Sequence, residues 1–240
     1  MSARLRCPPP CPAALSAPEP PAPASGLGLL AQQGPGRAHL QMRRRLLAGA
    51  GALACLGLAG CSGPAPENVS GTSRALPEQK GHQPKAWPYA PPGWQIERIA
   101  QYLITARVLG TERYRLDDFS EIATWDFALA WGPAAASEVQ AALSISQSNR
   151  WYYWRAKKLP LPQTVLNEHM ANVHLVPANA SIEQLLGHIK RGMVVQLQGS
   201  LINAQHLASK RWYRSSTTRS DRGGGACEIL LVEQVGLASS

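Results

Sequence analysis

The stretch SIEQLLGHIKRGMVVQLQGSL, residues 181–201, places a short helix directly before a strand. Its first half has apolar residues at helical spacing and a capping box formed by Ser181 and Gln184. Gly192 is suited to the left-handed residue that ends such a helix. From residue 193 apolar and polar side chains alternate. Alternation puts neighbouring side chains on opposite faces, so a strand with one buried face is predicted.

Further strand and helix patterns lie on both sides of this stretch. A second short helix is expected to begin at Ser137, which forms a capping box with Gln140. A Gly-rich turn at 223–225 is predicted to join the last two strands into a terminal hairpin. The alternating or β-branched and aromatic runs that predict the other strands are Tyr102–Leu109, Asp126–Trp131, Arg150–Arg155, Arg211–Thr217 and Cys227–Val235.

About five strands with two or three short helices favour the α+β class, built on a small, strongly curved and mostly antiparallel sheet. The helix, the segment Lys190-Arg191-Gly192 and a strand ending in Gln198-Gly199-Ser200-Leu201 together resemble an OB-like partial barrel. Fold class alone assigns no function.

The composition divides the chain into unequal parts. Residues 96–236 are predicted to form a single globular domain, followed by a tail at 237–240. Residues 61–95 contain seven prolines and are interpreted as an extended tether, whose Trp87, Tyr89 and Trp94 are expected to pack onto the domain. Residues 1–41 contain nine prolines without apolar periodicity, so they are expected to be either disordered or an extension ahead of a true start at Met42.

Residues 42–61 carry a targeting pattern. Met42-Arg43-Arg44-Arg45 precedes an apolar run from Leu46 to Leu58, which is too short for the roughly 20 residues of a transmembrane helix. The following Leu58-Ala59-Gly60-Cys61 resembles a bacterial lipobox. The resemblance implies a signal peptide at 42–60, a diacylglycerol on Cys61 and a mature chain that begins there. The alternative interpretation is a short buried helix within a soluble protein.

That resemblance also implies a location. A lipidated Cys61 anchors the protein in a membrane of the bacterial envelope, facing the periplasm, and Ser62 at the next position favours the outer membrane over the inner one. The arginines before Leu46 faintly resemble a twin-arginine signal, although the general secretory route is preferred. After processing, Cys227 is the remaining thiol, which excludes an intramolecular disulfide. The net charge falls from +9 to +4, so charge alone indicates no nucleic-acid partner.

Two clusters of aromatic and basic residues are candidate binding surfaces. Arg150, Tyr152 and Trp154 share one face of a predicted strand, and Trp212 with Arg214 lies near the end of the domain. Aromatic rings beside guanidinium groups can stack on sugars, bases or peptide side chains. The alternative is that these rings belong to the core while the cations extend to its edge.

The candidate catalytic residues are Cys227 with His169 or His174. A thiol beside an imidazole would suit an envelope hydrolase or another thiol enzyme. Five residues separate the two histidines, which places them on different faces of a helix or a strand, so no metal site and no cofactor is expected. Because Cys227 shares a face with Ile229 and Leu231, a buried structural thiol is the preferred interpretation.

Together these patterns predict a lipid-anchored envelope protein whose domain is a non-catalytic binding or structural module. Its expected partners are the membrane, through the anchor, and an envelope glycan or protein. The two alternatives are the thiol enzyme and an OB-like binder of nucleic acid or anions, the latter using Arg219, Asp221 and Arg222 beside the glycines. Residues 169–178 and 219–228 also resemble an uncharacterised group of bacterial envelope proteins, a resemblance that implies no activity.

Overall fold

The computed structural model describes residues 64–218 and 227–238. The predicted extension at 1–41, the signal peptide at 42–60, Cys61 and the segment 219–226 with its glycines lie outside these residues. In the described ranges the strands are β1 Glu67–Val69, β2 Glu78–Ala86, β3 Trp94–Arg113, β4 Trp125–Ala130, β5 Ser144–Ser148, β6 Trp151–Arg155, β7 Met170–Pro177, β8 Val194–His206, β9 Arg211–Arg214 and β10 Glu228–Ala238. The α-helices there are α1 Ser137–Ala142, α2 Gln163–Glu168 and α3 Ala180–His188. None of these helices has the length and apolar character needed to cross a membrane.

Five strands form a ring of hydrogen bonds. β3 pairs antiparallel with both β4 and β8, and β4 pairs antiparallel with β7. β10 then lies between β7, to which it is parallel, and β8, to which it is antiparallel. The result is a strongly curved sheet that resembles a barrel without being a closed one. The predicted α+β, OB-like partial barrel is therefore confirmed.

The inside of the curved sheet is the main core. Alternate residues of the ring strands point inward and are buried, as Ile104, Phe127, Leu175 and Leu197 illustrate. α3 contributes its apolar stripe, including Leu186, to the same cluster. Burial of apolar side chains from all five ring strands and one helix is the main force that stabilises this arrangement.

The helix starts differ from those predicted. Asn179 caps α3, because its side chain accepts a hydrogen bond of 3.0 Å from the backbone N–H of Ile182. Ser181 therefore lies inside the helix. α1 begins after Ala136 without a side-chain cap, so the capping box expected at Ser137 is absent there. Gly192 does have a left-handed conformation, with φ of +93°, but it lies in the turn between α3 and β8.

The ring closes where β8 and β10 approach each other closely. Gly199 of β8 pairs with Val232, next to a bulge in β10 between Val232 and Gln234. A Cβ atom on Gly199 would overlap the carbonyl oxygen of Leu231. Glycine is required at this position because any side chain would force the two backbones apart.

The boundaries of the domain are wider than predicted. Two segments of the expected tether are strands, since β1 pairs in parallel with β10 and β2 pairs with β3. β2 is exposed along almost its whole length, so backbone hydrogen bonds hold it and no apolar alternation marks it in the sequence. Trp87 and Trp94 are buried, as expected, whereas Tyr89 is exposed. β10 extends to Ala238, so the sheet also includes part of the expected tail.

The predicted terminal hairpin is wrong. β9 pairs with β8, and β10 lies between β7 and β8. The reason is that β10 is apolar on both faces from Ile229 to Val232, and all four residues are buried. A strand with two apolar faces is stable inside a covered sheet rather than at its edge.

The segment between β4 and β7 covers the outer face of these two strands. It contains α1, α2 and a separate two-stranded hairpin of β5 and β6. Ala128 and Met170, which point outward from β4 and β7, are buried beneath it. The residues of the segment that pack onto this face include Ala134, Val139, Leu143, Trp154 and Leu166.

Candidate functional site: a buried ionic cluster beside Cys227

A charged residue lies on the covered outer face of β4. Asp126 and Phe127 point to opposite faces of β4, so Asp126 lies on the same outer face as Ala128. The exposed fraction of Asp126 is 0%. His174 of β7 is its direct cross-strand partner. Burying a carboxylate is costly unless other groups neutralise it and hydrogen-bond to it.

Three side chains surround the Asp126 carboxylate. Arg150 donates from Nη1 to Oδ1 over 2.8 Å, and Asn172 donates from Nδ2 to Oδ2 over 3.1 Å. Nδ1 of His174 lies 2.9 Å from Oδ2. Two cationic groups and an amide therefore compensate this buried charge.

A tight turn brings Arg150 to the carboxylate. Asn149 and Arg150 form the two-residue connection between β5 and β6, and both have positive φ, 51° and 67°. Positive φ at both positions is the conformation of a type I′ hairpin turn, which normally favours Asn followed by Gly. Arginine at the second position is strained, and its many contacts offset that strain.

Arg150 also joins the hairpin to the loop that follows β3. Its guanidinium donates to Asp117 through Nη2 over 2.7 Å and through Nε over 3.0 Å. Nη1 donates a further hydrogen bond of 2.8 Å to the carbonyl of Ala123. The group lies 4.1 Å from the ring centre of Tyr114, whose hydroxyl accepts from the Arg150 backbone N–H. Arg150 therefore holds three segments together.

Amide groups complete the network. Gln147 of β5 donates from Nε2 to Oδ1 of Asn172 over 3.0 Å and to the carbonyl of Asp126 over 3.1 Å. Asn172 in turn donates to the carbonyl of Arg150. The β5–β6 hairpin is therefore fixed to the ring by polar contacts as well as by apolar packing.

Cys227 lies at the far side of His174. The residue directly precedes β10, in which Ile229, two residues further along, is the direct strand partner of His174. His174 is 9% exposed, whereas Cys227 as a residue is half-buried. The Phe119 ring meets His174 edge-on at 5.8 Å and stacks on Tyr213 at 4.3 Å. The imidazole of His174 therefore contacts both the Asp126 carboxylate and the Phe119 ring.

The cluster shifts the pKa values of its members. Burial alone would lower the pKa of His174, but the negative charge of Asp126, 2.9 Å away, raises that pKa to about 10. Burial would raise the pKa of Asp126, yet the charges of His174 and Arg150 and the hydrogen bond from Asn172 hold it below its usual value. Burial raises the pKa of Tyr114 to about 12. At neutral pH the pair is therefore a carboxylate and an imidazolium.

The first predicted binding cluster lies largely inside the protein. Trp154 is 3% exposed and packs between the hairpin and the ring, while the Arg150 side chain is 15% exposed within the ionic cluster. Tyr152 is half-buried, and its hydroxyl donates to the carbonyl of Met170 over 3.4 Å. The alternative interpretation of these residues as packing groups accounts for their positions.

The second predicted cluster is on the outside. Trp212 is half-buried and Arg214 is exposed on β9, the last strand in the sheet order. The Arg214 guanidinium lies 4.9 Å from the ring centre of Trp212. Tyr213, whose side chain points to the opposite face, is the residue that reaches Phe119 and through it Arg150. The two predicted clusters therefore do not form one surface.

The two histidines have different surroundings. His169 is the C-cap of α2, where Nδ1 contacts the Val165 carbonyl at 2.9 Å and the ring packs against Gly132. The structure thus brings Cys227 together with His174, not with His169. Within residues 64–218 and 227–238, no three His, Cys, Asp or Glu side chains are placed to hold a metal ion.

A cavity of about 240 Å³ lies beside the start of α3. Trp87, Ile122 and Val176 are among its lining residues, together with Glu121 and Glu183. Both carboxylates are engaged by neighbours, because Glu121 accepts a hydrogen bond from Trp94, and Glu183 accepts hydrogen bonds from Thr124 and Arg113. The cavity does not include the ionic cluster.

Asp126, Asp117, Phe119 and Tyr213 were not among the candidate residues derived from the sequence. The sequence signal that could have indicated this site is Asp126 itself, an acidic residue in an otherwise apolar strand. Its partners could not be found in the same way, because they depend on strand register. No protein-family model, curated protein or solved structure matches this chain.

Proposed function

We propose that this chain is a lipid-anchored protein of the bacterial envelope and that its OB-like domain is a binding module. The anchor is Cys61, and the ligand-contacting surface is the edge strand β9 with Trp212 and Arg214. The observation that carries the binding proposal is the exposed pairing of Arg214 with Trp212, 4.9 Å apart, at the end of the sheet.

The position of β1 limits the distance between the domain and the proposed anchor. Residues 62–66 are all that separates Cys61 from Glu67, the first residue of β1. A fully extended chain of this length spans at most about 20 Å. A lipidated Cys61 would therefore hold the domain against the membrane surface. A 35-residue tether would instead let the domain move much further from the membrane.

The edge strand favours a glycan ligand. The flat ring of Trp212 can stack against the C–H face of a sugar, while the neighbouring Arg214 donates hydrogen bonds to hydroxyl or carboxylate oxygens. A protein partner could use the same strand by adding a strand to it.

The nucleic-acid alternative has less support. OB folds bind oligonucleotides on the face of the second and third barrel strands. In the ring those strands correspond to β4 and β7, whose outer face is covered by α1, α2 and the β5–β6 hairpin. A nucleic acid would have to displace Trp154 and the buried ionic cluster to reach this face.

Sedimentation with purified peptidoglycan sacculi tests the binding surface. The wild-type protein should co-sediment, and Trp212→Ala should reduce the bound fraction while leaving the thermal midpoint nearly unchanged. Trp151→Ala is the matched control, because Trp151 is also a half-buried tryptophan, on β6. Equal binding by Trp212→Ala and wild type would overturn the assigned surface, and no binding by the wild type would exclude peptidoglycan as the ligand.

Cell fractionation tests the anchor. Wild-type protein should remain with the membranes after a high-salt wash, and Cys61→Ala should appear in the soluble fraction. Cys227→Ser is the control for loss of a cysteine, and it should stay with the membranes. Membrane association that survives Cys61→Ala would contradict lipid anchoring at this residue.

A further inference from the structure

The cavity beside the start of α3 combines apolar walls with a carboxylate at its opening. Its volume of about 240 Å³ is below the roughly 300 Å³ at which pockets for drug-sized ligands begin. The lining residues Trp87, Ile122 and Val176 are buried, whereas Glu121 and Ala180, which also line it, are exposed. The cavity therefore suits a small ligand that has an apolar body and a polar group at one end.

Hydrogen bonds and prolines hold the walls in place without a ligand. In the loop between β2 and β3, the N–H of Trp87 donates to the carbonyl of Ile96 over 2.8 Å. The N–H of Trp94 donates to the carbonyl of Pro91 over 3.1 Å. Pro91 and Pro177 line the cavity, and the ring of each proline fixes its φ angle. A preformed site of this kind loses little conformational entropy on binding.

One of the two carboxylates that line the cavity has no cation to balance its charge. Glu183 forms an ion pair of 3.0 Å with Arg113. Glu121 accepts a hydrogen bond of 2.9 Å from Nε1 of Trp94, which is a neutral donor. Among the residues that the structure describes, no cationic group lies within ion-pair distance of Glu121. The indole N–H therefore positions this carboxylate without neutralising it.

We infer that this cavity binds a small free amine in its protonated form, with the ammonium group at Glu121 and the apolar body against the buried walls. A carboxylate has acceptor sites beyond the one that Trp94 uses, and the N–H groups of an ammonium ion fit them. An anionic ligand would instead be repelled by Glu121. The cavity is separate from the β9 surface, so the inference goes beyond the proposed function and does not depend on it.

Isothermal titration calorimetry of the full-length protein with cyclohexylammonium, at neutral pH and about 0.1 M salt, tests the inference. Cyclohexanol is the matched neutral probe, because it carries the same apolar ring. We expect the ammonium ion to bind at least about tenfold tighter than the alcohol, with a dissociation constant of about 1 mM. Absence of binding by the ammonium ion, or equal affinities for the two probes, would overturn the inference.

A substitution at Glu121 tests the charge. Glu121→Gln keeps an oxygen that can accept from Trp94 but removes the negative charge. The ammonium ion should therefore bind about tenfold more weakly to this variant, while the affinity for the alcohol stays the same. Glu138→Gln is the control, because Glu138 is an exposed carboxylate of α1 outside the cavity, and it should leave both affinities unchanged.

A substitution at Ala180 tests the cavity itself without a change of charge. Ala180 is the exposed first residue of α3, and leucine is also a good helix former, so Ala180→Leu should fold normally. Its larger side chain would occupy part of the cavity and weaken the binding of both probes. Circular dichroism verifies that each variant is folded, and if one variant unfolds, the other decides. A folded variant that binds cyclohexylammonium as tightly as the wild type would place the amine elsewhere and overturn the inference.

Discussion

The Nδ1 atom of His174 lies 2.9 Å from Oδ2 of Asp126, and the two residues are direct partners across β4 and β7. Their charges are buried beneath the β5–β6 hairpin, where Arg150 and Asn172 donate hydrogen bonds to the carboxylate. This relationship links the ring, the hairpin and Cys227. Substitutions at Asp126 and His174 therefore test how the ring and the hairpin are held together.

Asp126→Asn should destabilise the domain by about 3 kcal/mol, because two buried cationic groups lose their common counter-charge. Urea denaturation followed by tryptophan fluorescence measures the change. Asp118→Asn is the control, since Asp118 is exposed, and it should alter the free energy of unfolding by less than about 0.5 kcal/mol. Equal effects of the two substitutions would show that the buried cluster does not stabilise the fold.

Stability should decrease as the pH rises from about 6.5 to 10. The pKa of His174 is raised from its ordinary 6.5 to about 10, so its stabilising contribution is complete below 6.5 and is lost through this interval. The pKa of Asp126 is lowered, so its contribution is lost in acid, below its ordinary 3.8.

Urea midpoints at pH 6 and pH 9.5 measure this dependence, with Cys227→Ser as the background so that no disulfide forms between molecules. In that background, the additional substitution His174→Gln should flatten the profile between these values. The upper limit avoids ionisation of Tyr114, whose pKa is about 12. A profile that is unchanged by His174→Gln would contradict the assignment.

Arg150→Lys should destabilise the hairpin. A lysine keeps the charge but cannot donate to Asp117, Asp126 and Ala123 together, so a loss of about 1–3 kcal/mol is expected. Limited proteolysis should cut residues 143–163 faster in this variant than in the exposed control Arg115→Lys. Identical digestion of both variants would show that Arg150 does not hold the hairpin in place.

Gly199→Ala tests closure of the ring. A methyl group there would overlap the Leu231 carbonyl, so β8 and β10 must separate, and we expect a loss of more than about 3 kcal/mol. Gly81→Ala is the matched control in β2, where a Cβ meets nothing within 4 Å. Its thermal midpoint should stay the same or rise slightly. Similar midpoints for the two variants would argue against the pairing of β8 with β10.

Local patterns predicted much of the ring. The alternation in β3 and β8 and the apolar stripe of α3 fall where the sequence places them. β2 could not be found this way, because its side chains are exposed and only backbone hydrogen bonds hold it. The position of β10 was missed because its parallel pairing with β7 joins residues far apart in the chain.

The site was less predictable than the fold. The sequence predicts Arg150 on a binding surface. In the structure the turn at Asn149 and Arg150 directs the guanidinium to the buried carboxylate of Asp126, to which it donates a hydrogen bond. His174 and Cys227 were candidates, but the choice of His174 over His169 depends on which end of β7 lies beside β10. Trp154 is buried in the core, as its apolar side chain favours, whereas Trp212 lies on an edge strand.

Mass spectrometry of the N-terminal peptide of the protein, purified from the membranes of a Gram-negative host, tests the central proposal most directly. A lipid-anchored envelope protein should begin at Cys61 and carry a diacylglyceryl group on its sulfur, with no peptide from residues 1–60. A chain that still contains those residues, with an unmodified Cys61, would contradict the proposal.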